Sequence, residues 1–274
     1  MAGMLYLVPT PIGNLGDISA RCRETLAQAD FIAAEDTRVT LKLLNHLELK
    51  KPLVSYYEHN KAASGGKILD RILAGETCAL VSDAGSPAIS DPGEDLVRQC
   101  AEAGVTVCAI PGPCAVITAL SISGLPTGRF TFEGFLSTAK KSRREHLESL
   151  QAETRTMVFY EAPHKLLATL EDMSAAFGPG RRISLCRELT KLHEEVIRTT
   201  LEEAVLRFRE APPKGEFVLV LEGATPAAAP AWTLEDAAAR AQSLMAQGLP
   251  RKEAARQAAQ ERGLPKKAIY DATL

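Results

Sequence analysis

Short apolar runs alternate with longer amphipathic segments over the first part of the chain. The apolar runs predict buried strands at 4–8, 31–35, 53–55, 78–81 and 105–110. The amphipathic segments predict helices near 19–28, 40–46, 60–74, 93–103 and 114–122. Such an alternation of strands and helices favours a mostly parallel sheet with helices on both faces. We therefore expect residues 1–124 to form an N-terminal α/β domain.

A turn rich in glycine and proline at 124–128 separates this part from one in which strands dominate. Strands are predicted at 130–135, 156–160, 182–186, 195–199 and 216–221, and helices near 140–150, 163–176 and 200–210. Thr200 and Glu203 have the spacing of a capping box, which predicts the start of the last of these helices. We expect residues 125–223 to form a second α/β domain with a mixed sheet.

The C-terminal part begins with a predicted linker at 224–231, rich in alanine and proline, and continues as a helical tail at 232–274. The helix start and stop signals of this tail are Thr233, Gly248, Pro250, Gly263 and Pro265. The connection at 262–265 resembles that of a helix-turn-helix. Residues 240–274 carry seven Lys or Arg and three Asp or Glu. This basic tail is expected either to contact nucleic acid or to act only as a solvated helical cap.

Composition and charge narrow the class of protein. The length of 274 residues suggests two domains with a small appendix, and the net charge of −2 provides no global attraction to nucleic acid. Six cysteines form no C-x-x-C pair, which predicts a reduced, cytoplasmic protein without structural zinc. The N-terminus lacks the basic flank and apolar core of a signal peptide.

The uncharged stretch 103–128 is long enough to span a membrane. Its Pro-Gly-Pro at 111–113 divides it into a β-branched strand and a helix of small residues. We therefore expect a buried strand with a packed helix, and no membrane partner.

Several common enzyme motifs are missing from the sequence. Residues 65–68 lack the hydroxyl that completes a phosphate loop, and no G-x-G-x-x-G follows a predicted strand. Residues 193–197 lack the second histidine of a zinc-protease helix. Kinase, dehydrogenase and metalloprotease functions are therefore not favoured. No G-x-S-x-G is present either, so Ser86 and Ser90 are predicted to be turn hydroxyls.

Two loops rich in Gly, Pro, Ser and Asp follow predicted strands, at 9–17 and 82–93. Ligands of open parallel sheets bind beyond the carboxyl ends of strands, and these residue types let the backbone approach a ligand closely. Polar clusters at 34–38, 159–165 and 187–194 end three further strands. Their recurrence in both predicted domains favours a shared small-molecule cleft over a set of long surface turns.

In these loops and clusters the sequence resembles the tetrapyrrole-methylase superfamily, and within it the branch that methylates cytidine 2'-oxygens of 16S rRNA. The segments that carry the resemblance are 8–18, 34–38, 82–93, 111–113, 115–126, 159–164, 187–194 and 215–223. They span most of the chain in order, and 82–93 together with 187–194 is specific to that branch. The departures are Ser86, Ala88 and Cys114, where Thr, a larger apolar residue and Ser are common.

The resemblance implies two α/β domains with a cofactor cleft between them, and S-adenosylmethionine as the cofactor. It implies 16S rRNA in the decoding region of the small ribosomal subunit as the partner, and a homodimer in the cytoplasm. Two other functions stay open: a tetrapyrrole methyltransferase of the same fold, and a non-catalytic nucleic-acid-binding protein. The basic tail argues against the first, and the polar loops of the cleft argue against the second.

The resemblance also implies the residues that contact the cofactor, without a metal ion: Ile12, Asp83, Ala84, Gly85, Ala88, Cys114, Ala115, Glu161 and Leu189. Methyl transfer to a 2'-hydroxyl needs a positioned oxygen and a group that accepts its proton. The candidate acceptors are Asp36, Asp91, Glu188 and Glu194. Glu188 is favoured, with Lys191 steering a phosphate or lowering the pKa of the hydroxyl.

Overall fold

The computed structural model describes residues 3–225 and 233–273, which fold as two compact units, Met1–Ala224 and Thr225–Leu274. The first sheet contains β1 (Met4–Leu7), β2 (Phe31–Ala34), β3 (Leu53–Ser55), β4 (Cys78–Val81) and β5 (Thr106–Ala109). Its helices are α1 (Ala20–Gln28), α2 (Thr37–His46), α3 (Lys61–Leu73), α4 (Gly93–Glu102) and α5 (Ala115–Ile122). All pairs in the order β3-β2-β4-β1-β5 are parallel, which confirms the predicted parallel sheet.

Helices cover both faces of this sheet, and its central strands β2 and β4 are apolar and buried at every position. Successive side chains of β2 point to opposite faces, so Ile32 packs towards α1 and α2 while Phe31 packs towards α3 and α4. A strand buried on both faces has a continuous apolar sequence, as β2 and β4 do. The parallel arrangement brings the carboxyl ends of β1, β2 and β4 to one edge of the sheet.

The second sheet contains β6 (Phe130–Phe135), β7 (Thr156–Glu161), β8 (Arg182–Arg187), β9 (Glu195–Thr200) and β10 (Phe217–Leu221). Its order is β6-β7-β10-β8-β9, with β6 and β7 parallel and the other pairs antiparallel. This confirms the predicted mixed sheet. One of its faces packs against α6 (Lys140–Ser149), α7 (Pro163–Phe177) and α8 (Leu201–Glu210). The predicted capping box of Thr200 and Glu203 opens α8.

Helix α5 joins the two sheets. It directly follows the last strand of the first sheet, yet Val116 and Leu120 pack in one apolar cluster with Val158 and Val218 of the second sheet. This contact makes a single compact unit of the residues up to Ala224. The subdivision into domains at residue 124 stays a prediction.

The C-terminal unit contains α9 (Leu234–Ala246), α10 (Arg251–Arg262) and α11 (Lys266–Ala272). Thr233 caps α9 through a capping box with Asp236, as the sequence predicts for the start of this helix. Ala237, Ala254 and Ile269 belong to its small core, and the alanines allow the helices to pack closely. Most of the predicted linker, 226–231, lies outside the described residues. Within the described ranges, no helix combines the length and apolarity that crossing a membrane requires.

Candidate active site

A cleft of about 580 Å³ lies where the loops that follow strands of the first sheet face the second sheet. This volume is within the range of about 300–1,000 Å³ that is typical of small-molecule sites. The residues that line it are Ile12, Glu35, Ser82, Asp83, Ala84, Gly85, Ser86, Ile89, Ser90, Asp91, Cys114, Ala115, Phe135, Tyr160, Glu161, Ala162, Pro163, His164, Cys186, Leu189, Glu216, Phe217 and Val218.

Hydrogen bonds between backbone loops build the floor of the cleft. The amide of Thr10 donates to the carbonyl of Gly85 at 2.9 Å, and the amide of Gly85 donates to the carbonyl of Thr10 at 3.0 Å. The Ser86 hydroxyl donates to the carbonyl of Pro113 at 2.9 Å. These bonds tie the loops after β1, β4 and β5 together. Gly85 has a φ of +86°, and a Cβ there would lie 3.3 Å from Ile12, so this position favours glycine.

Backbone strain is concentrated in two loops beside the cleft. In the described part of the chain, four of the five non-glycine residues with positive φ lie in these loops, Ala88 and Ser90 in one and Glu188 and Thr190 in the other. Each such residue costs on the order of 1–3 kcal/mol, and strain of this kind occurs preferentially at ligand sites. The strained conformations of these two loops therefore favour a ligand site beside them.

Carboxylates form the wall of the cleft that belongs to the first sheet. Glu35, Asp83 and Asp91 all line it. The Asp83 carboxylate accepts from the amide of Asp36 at 2.9 Å, which holds the end of β2 beside the loop after β4. Burial, and then the charge of Asp83, raise the pKa of Glu35. Glu35 is thus a carboxylate that binds a proton more readily than an ordinary glutamate.

Apolar and aromatic side chains form the opposite wall, which belongs to the second sheet. Phe135, Tyr160, Leu189, Phe217 and Val218 contribute to it. The rings of Phe135 and Tyr160 lie 5.3 Å apart, and burial raises the pKa of Tyr160 to about 12. The Tyr160 hydroxyl is therefore neutral at physiological pH. The second wall is thus mainly apolar, although Glu161 and Glu216 also line it.

The structure brings most of the predicted cofactor residues together. Eight of the nine line the cleft: Ile12, Asp83, Ala84, Gly85, Cys114, Ala115, Glu161 and Leu189. The ninth, Ala88, is not in the lining, and its amide donates to the Asp91 carboxylate at 3.0 Å. Glu161 is buried, and its two oxygens accept from the Ala162 amide and the Thr169 hydroxyl. The roles of all nine residues stay predictions.

The predicted catalytic residues are more scattered. Asp91 lines the cleft, with one carboxylate oxygen held by the amides of Ala88 and Gly93. The other oxygen, Oδ2, is buried without a hydrogen-bond partner among the described residues. Asp36 caps α2 and pairs with Arg38, whose hydrogen bond holds the pKa of the Asp36 carboxyl at about 2.

Glu188 and Lys191 lie in the strained loop after β8 and are not in the lining of the cleft. Glu188 Oε1 accepts from Lys191 Nζ at 2.9 Å and from the amide of Glu216 at 2.9 Å. The hydrogen bond from Lys191 lowers the pKa of Glu188. Lys191 also pairs with Glu216 at 2.8 Å. Glu194 accepts from the amide of Thr190 within the loop. Glu188 and Lys191 thus connect the loop after β8 to Glu216, and Glu194 holds the loop itself.

Glu35 and Phe135 are among the lining residues that the sequence-based prediction did not name as site residues. Glu35 belongs to the polar cluster 34–38, and its position directly after β2 is the signal that could have selected it. For Phe135 the signal is Gly134, a glycine within an aromatic strand, which often marks a bulge.

Comparison with known proteins identifies the family. The profile of the Tetrapyrrole (Corrin/Porphyrin) Methylases matches residues 4–205, which include both sheets except β10. The chain belongs to the tetrapyrrole methylase family. As a tetrapyrrole methylase it is a methyltransferase, and S-adenosylmethionine is its cofactor.

Two relatives and one solved structure illustrate the range of this family. The chain is 51% identical to "Ribosomal RNA small subunit methyltransferase I" of Synechocystis sp., covering 99% of this chain and 98% of that protein. The protein of the same name in Bacillus subtilis is 45% identical, covering 98% and 94%. A Thermus thermophilus uroporphyrin-III C-methyltransferase complexed with S-adenosylhomocysteine shares the fold, with a TM-score of 0.57 and 17% identity over 80% of this chain and 97% of that one.

The lining of the cleft in this tetrapyrrole methylase fits S-adenosylmethionine. The bridge to Thr10 holds Gly85 in the lining of the cleft, and because Gly85 has no side chain a ligand can approach its backbone. The carboxylates of the first wall complement a positively charged sulfur and an amino group, and the apolar second wall suits an adenosyl group. Among the described residues, no cluster of three or more His, Cys, Asp or Glu is arranged to hold a metal ion.

Proposed function

We propose that this protein transfers a methyl group from S-adenosylmethionine to the ribose 2'-oxygen of a cytidine in the decoding region of 16S rRNA. The observation that carries the proposal is the 51% identity, over almost the entire length of both chains, to a protein named as a ribosomal RNA small subunit methyltransferase. The partner is then the small ribosomal subunit, and the protein acts in the cytoplasm as a homodimer.

The cleft supports an in-line displacement. When bound, the cofactor supplies a methyl group on a positively charged sulfur. The ribose oxygen forms a bond to the methyl carbon as the carbon–sulfur bond breaks, and the electron pair of that bond stays on sulfur. Positioning the two reacting atoms accounts for much of the rate enhancement of such a reaction. The buried apolar residues Phe217 and Val218 limit the polar surroundings of the reacting atoms on that side of the cleft.

Glu35 is the best-placed acceptor for the proton of the 2'-hydroxyl. It lines the cleft, whereas the predicted acceptors Asp36, Glu188 and Glu194 do not. Burial raises its pKa, and a proton acceptor works best when its pKa lies close to the working pH. Its Oε2 accepts only a long hydrogen bond, 3.4 Å, from the amide of Asp83, so the carboxylate keeps capacity for a substrate proton.

Asp91, the predicted acceptor that does line the cleft, fits a supporting role better. Its Oδ1 holds the strained turn at Ala88, and its buried Oδ2 contributes a negative charge that raises the pKa of Glu35. Glu188 and Lys191 fit a role in holding the loop after β8 against the cleft. Asp36 fits the role of a helix cap.

The tail supports a contact with RNA. Lys252, Arg256 and Lys267 are exposed and form no ion pair within the described part of the chain. Arg240, by contrast, pairs with Glu261, and the Arg251 guanidinium lies over the Tyr270 ring at 4.3 Å. The three unpaired cations are free to neutralise phosphates, which is the main source of affinity for RNA backbones.

The test compares substrates under one assay. Small ribosomal subunits, naked 16S rRNA and a porphyrinogen are incubated with the protein and with S-adenosylmethionine carrying a labelled methyl group. We expect label on the ribosomal substrates, resistant to base removal and mapped to a cytidine ribose by mass spectrometry. Label on the porphyrinogen, or on the base of a nucleotide, contradicts the proposal. Binding of RNA without any transfer of label supports a non-catalytic role.

A further inference from the structure

Phe135 is exposed at the cleft although it ends a strand of the second sheet. Its exposed fraction is 58%, while Tyr160, on the neighbouring strand, has its pKa raised by burial. Single exposed apolar residues are common on protein surfaces, but a ring that lines a ligand cleft presents its face to whatever the cleft binds. Phe135 lines the same cleft as Glu35 and Tyr160.

A β-bulge places this ring in the cleft. Phe132 pairs with Val158 and Phe135 pairs with Tyr160, so β6 contains one extra residue between them. Val158 and Tyr160 point to the face that carries α5, because alternate residues of β7 share a face. Without the extra residue, position 135 would point to the opposite face. Gly134, with a φ of +65°, supplies the backbone conformation that the bulge requires.

The extra residue is stabilised on the other side of the sheet. Glu133 is largely buried and lies 3.1 Å from the Nε2 atom of His146 on α6. Leu136, which follows Phe135, belongs to the core between the second sheet and its helices. The strand is thus anchored on both sides of Phe135, and the ring itself contacts Tyr160.

We propose that Phe135, backed by Tyr160, is the platform on which the base of the target nucleotide stacks. This inference rests on the proposed function. To place its 2'-oxygen in the cleft, a nucleotide must leave the stack of its neighbours, and an aromatic ring replaces that lost stacking. The tilted pair of Phe135 and Tyr160, 5.3 Å apart, leaves the outer ring available to a planar base.

The position of Phe135 separates it from the predicted cofactor contacts. Most of those contacts lie on loops of the first sheet and on α5, whereas β6 is the edge strand of the second sheet. Glu35, Asp83 and Asp91 line the first wall, whereas the second wall carries Glu161 and Glu216 among mainly apolar and aromatic residues. The exposed face of an aromatic ring suits stacking with a nucleobase.

The experiment uses the full-length protein with Phe135→Ala, Phe135→Leu and Phe135→Tyr. Leu206→Ala is the matched control, because Leu206 is 54% exposed on α8 and does not line the cleft. Initial rates are measured on unmethylated small ribosomal subunits, and S-adenosylmethionine affinity is measured by calorimetry. We expect Phe135→Ala to raise KM for the subunit about 5- to 150-fold, the usual range for loss of one base-stacking ring. Phe135→Tyr restores the wild-type value, and Phe135→Leu does not.

A second readout keeps the inference testable if the wild type transfers no methyl group to RNA, which would overturn the proposed function. A short single-stranded RNA containing the fluorescent analogue pyrrolocytidine is titrated with the protein in the presence of S-adenosylhomocysteine. Quenching that depends on Phe135 supports the platform by itself. An unchanged KM together with unchanged quenching overturns it. Loss of cofactor affinity in Phe135→Ala would assign the ring to the cofactor. A changed sedimentation coefficient would assign the ring to contacts between copies of the chain. Either result also overturns the proposed base platform.

Discussion

The two walls of the cleft are built by different physical means. The wall from the first sheet consists of loops held by backbone hydrogen bonds, with Glu35, Asp83 and Asp91 projecting from them. The wall from the second sheet consists of strand residues such as Tyr160 and Val218, whose positions follow from the sheet itself. The first wall carries three carboxylates, and the second provides a mainly apolar surface that also includes Glu161 and Glu216. Each sheet has one strained loop beside the cleft. We propose that proton transfer belongs to the first wall and substrate packing to the second.

The largest expected effect is that of removing the charge of Glu35. Glu35→Gln keeps the shape of the side chain but removes its ability to accept a proton. We expect kcat to fall by about 100- to 10,000-fold, the usual contribution of a general base, with little change in cofactor affinity. Rates under saturating substrate and calorimetry with S-adenosylmethionine measure the two quantities.

Glu188→Gln is the matched control, because Glu188 carries the same group outside the lining of the cleft. We expect it to affect stability more than turnover, since it weakens the contacts with Lys191 and Glu216. If Glu188→Gln abolishes turnover and Glu35→Gln does not, the acceptor lies in the loop after β8, and the assignment of proton transfer to the first wall is wrong.

The effect of Glu35→Gln on stability should depend on pH. Because the folded protein raises the pKa of Glu35 above its usual 4.5, the fold favours the protonated form. The associated stability is present at low pH and is lost as the pH rises from about the usual value through the raised pKa. Glu35→Gln should therefore unfold at a higher temperature than the wild type at pH 7.5, and the difference should shrink towards pH 4. A difference independent of pH contradicts this origin.

Asp172 beside the second sheet is a buried carboxylate whose charge, unlike that of Glu35, is paired with arginines. Asp172 is buried and pairs with Arg143 at 2.6 Å and with Arg144 at 2.8 Å, joining α6 to α7. Asp172→Ala leaves the buried Arg143 without its partner, so we expect the free energy of unfolding to fall by about 3–5 kcal/mol. Urea unfolding measures this. The control is Glu171→Ala, which removes an exposed pair with Arg209 and should cost at most about 1 kcal/mol. Equal effects of the two would show that burial does not separate them.

A smaller effect is expected from filling the cleft at α5. Ala115 lines the cleft at the start of this helix. Ala115→Trp should weaken S-adenosylmethionine binding by about 5- to 150-fold, equivalent to the roughly 1–3 kcal/mol that overfilling a packed site costs. Ser121→Trp is the control, because Ser121 is exposed near the end of the same helix. Circular dichroism verifies the fold of both variants. Unchanged affinity in a folded Ala115→Trp variant places the cofactor elsewhere.

The bounds of the elements could be predicted from the sequence to within a few residues. The strands are continuous apolar runs such as 78–81, and helix ends carry local signals such as Thr200 and Thr233. The loops at the carboxyl ends of the first sheet were predictable for the same reason, since their composition is local.

The choice among acidic residues was not predictable from local pattern. Glu188 looks like a free carboxylate at a strand end, and only the approach of the chain around Gly215 brings the Glu216 amide to it. Phe135 looks like a core residue of an aromatic strand, and only the register of β6 against β7 places it in the cleft. Both outcomes depend on pairing between residues distant in sequence.

The smallest expected effect separates the cleft from the tail. If Lys252, Arg256 and Lys267 contact phosphates, replacing all three by Gln should lower the slope of log affinity against log salt by between about 2 and 3, at roughly 0.7 to 0.9 per phosphate. S-adenosylmethionine affinity should stay unchanged, because none of the three lines the cleft. The control replaces three exposed lysines of the first unit, Lys42, Lys50 and Lys67, and so removes the same charge elsewhere. A slope reduced equally by both sets reflects total charge alone. A slope unaffected by the tail set makes the tail a helical cap and directs the search for the RNA surface to Arg38, Lys165 and Lys191 beside the cleft.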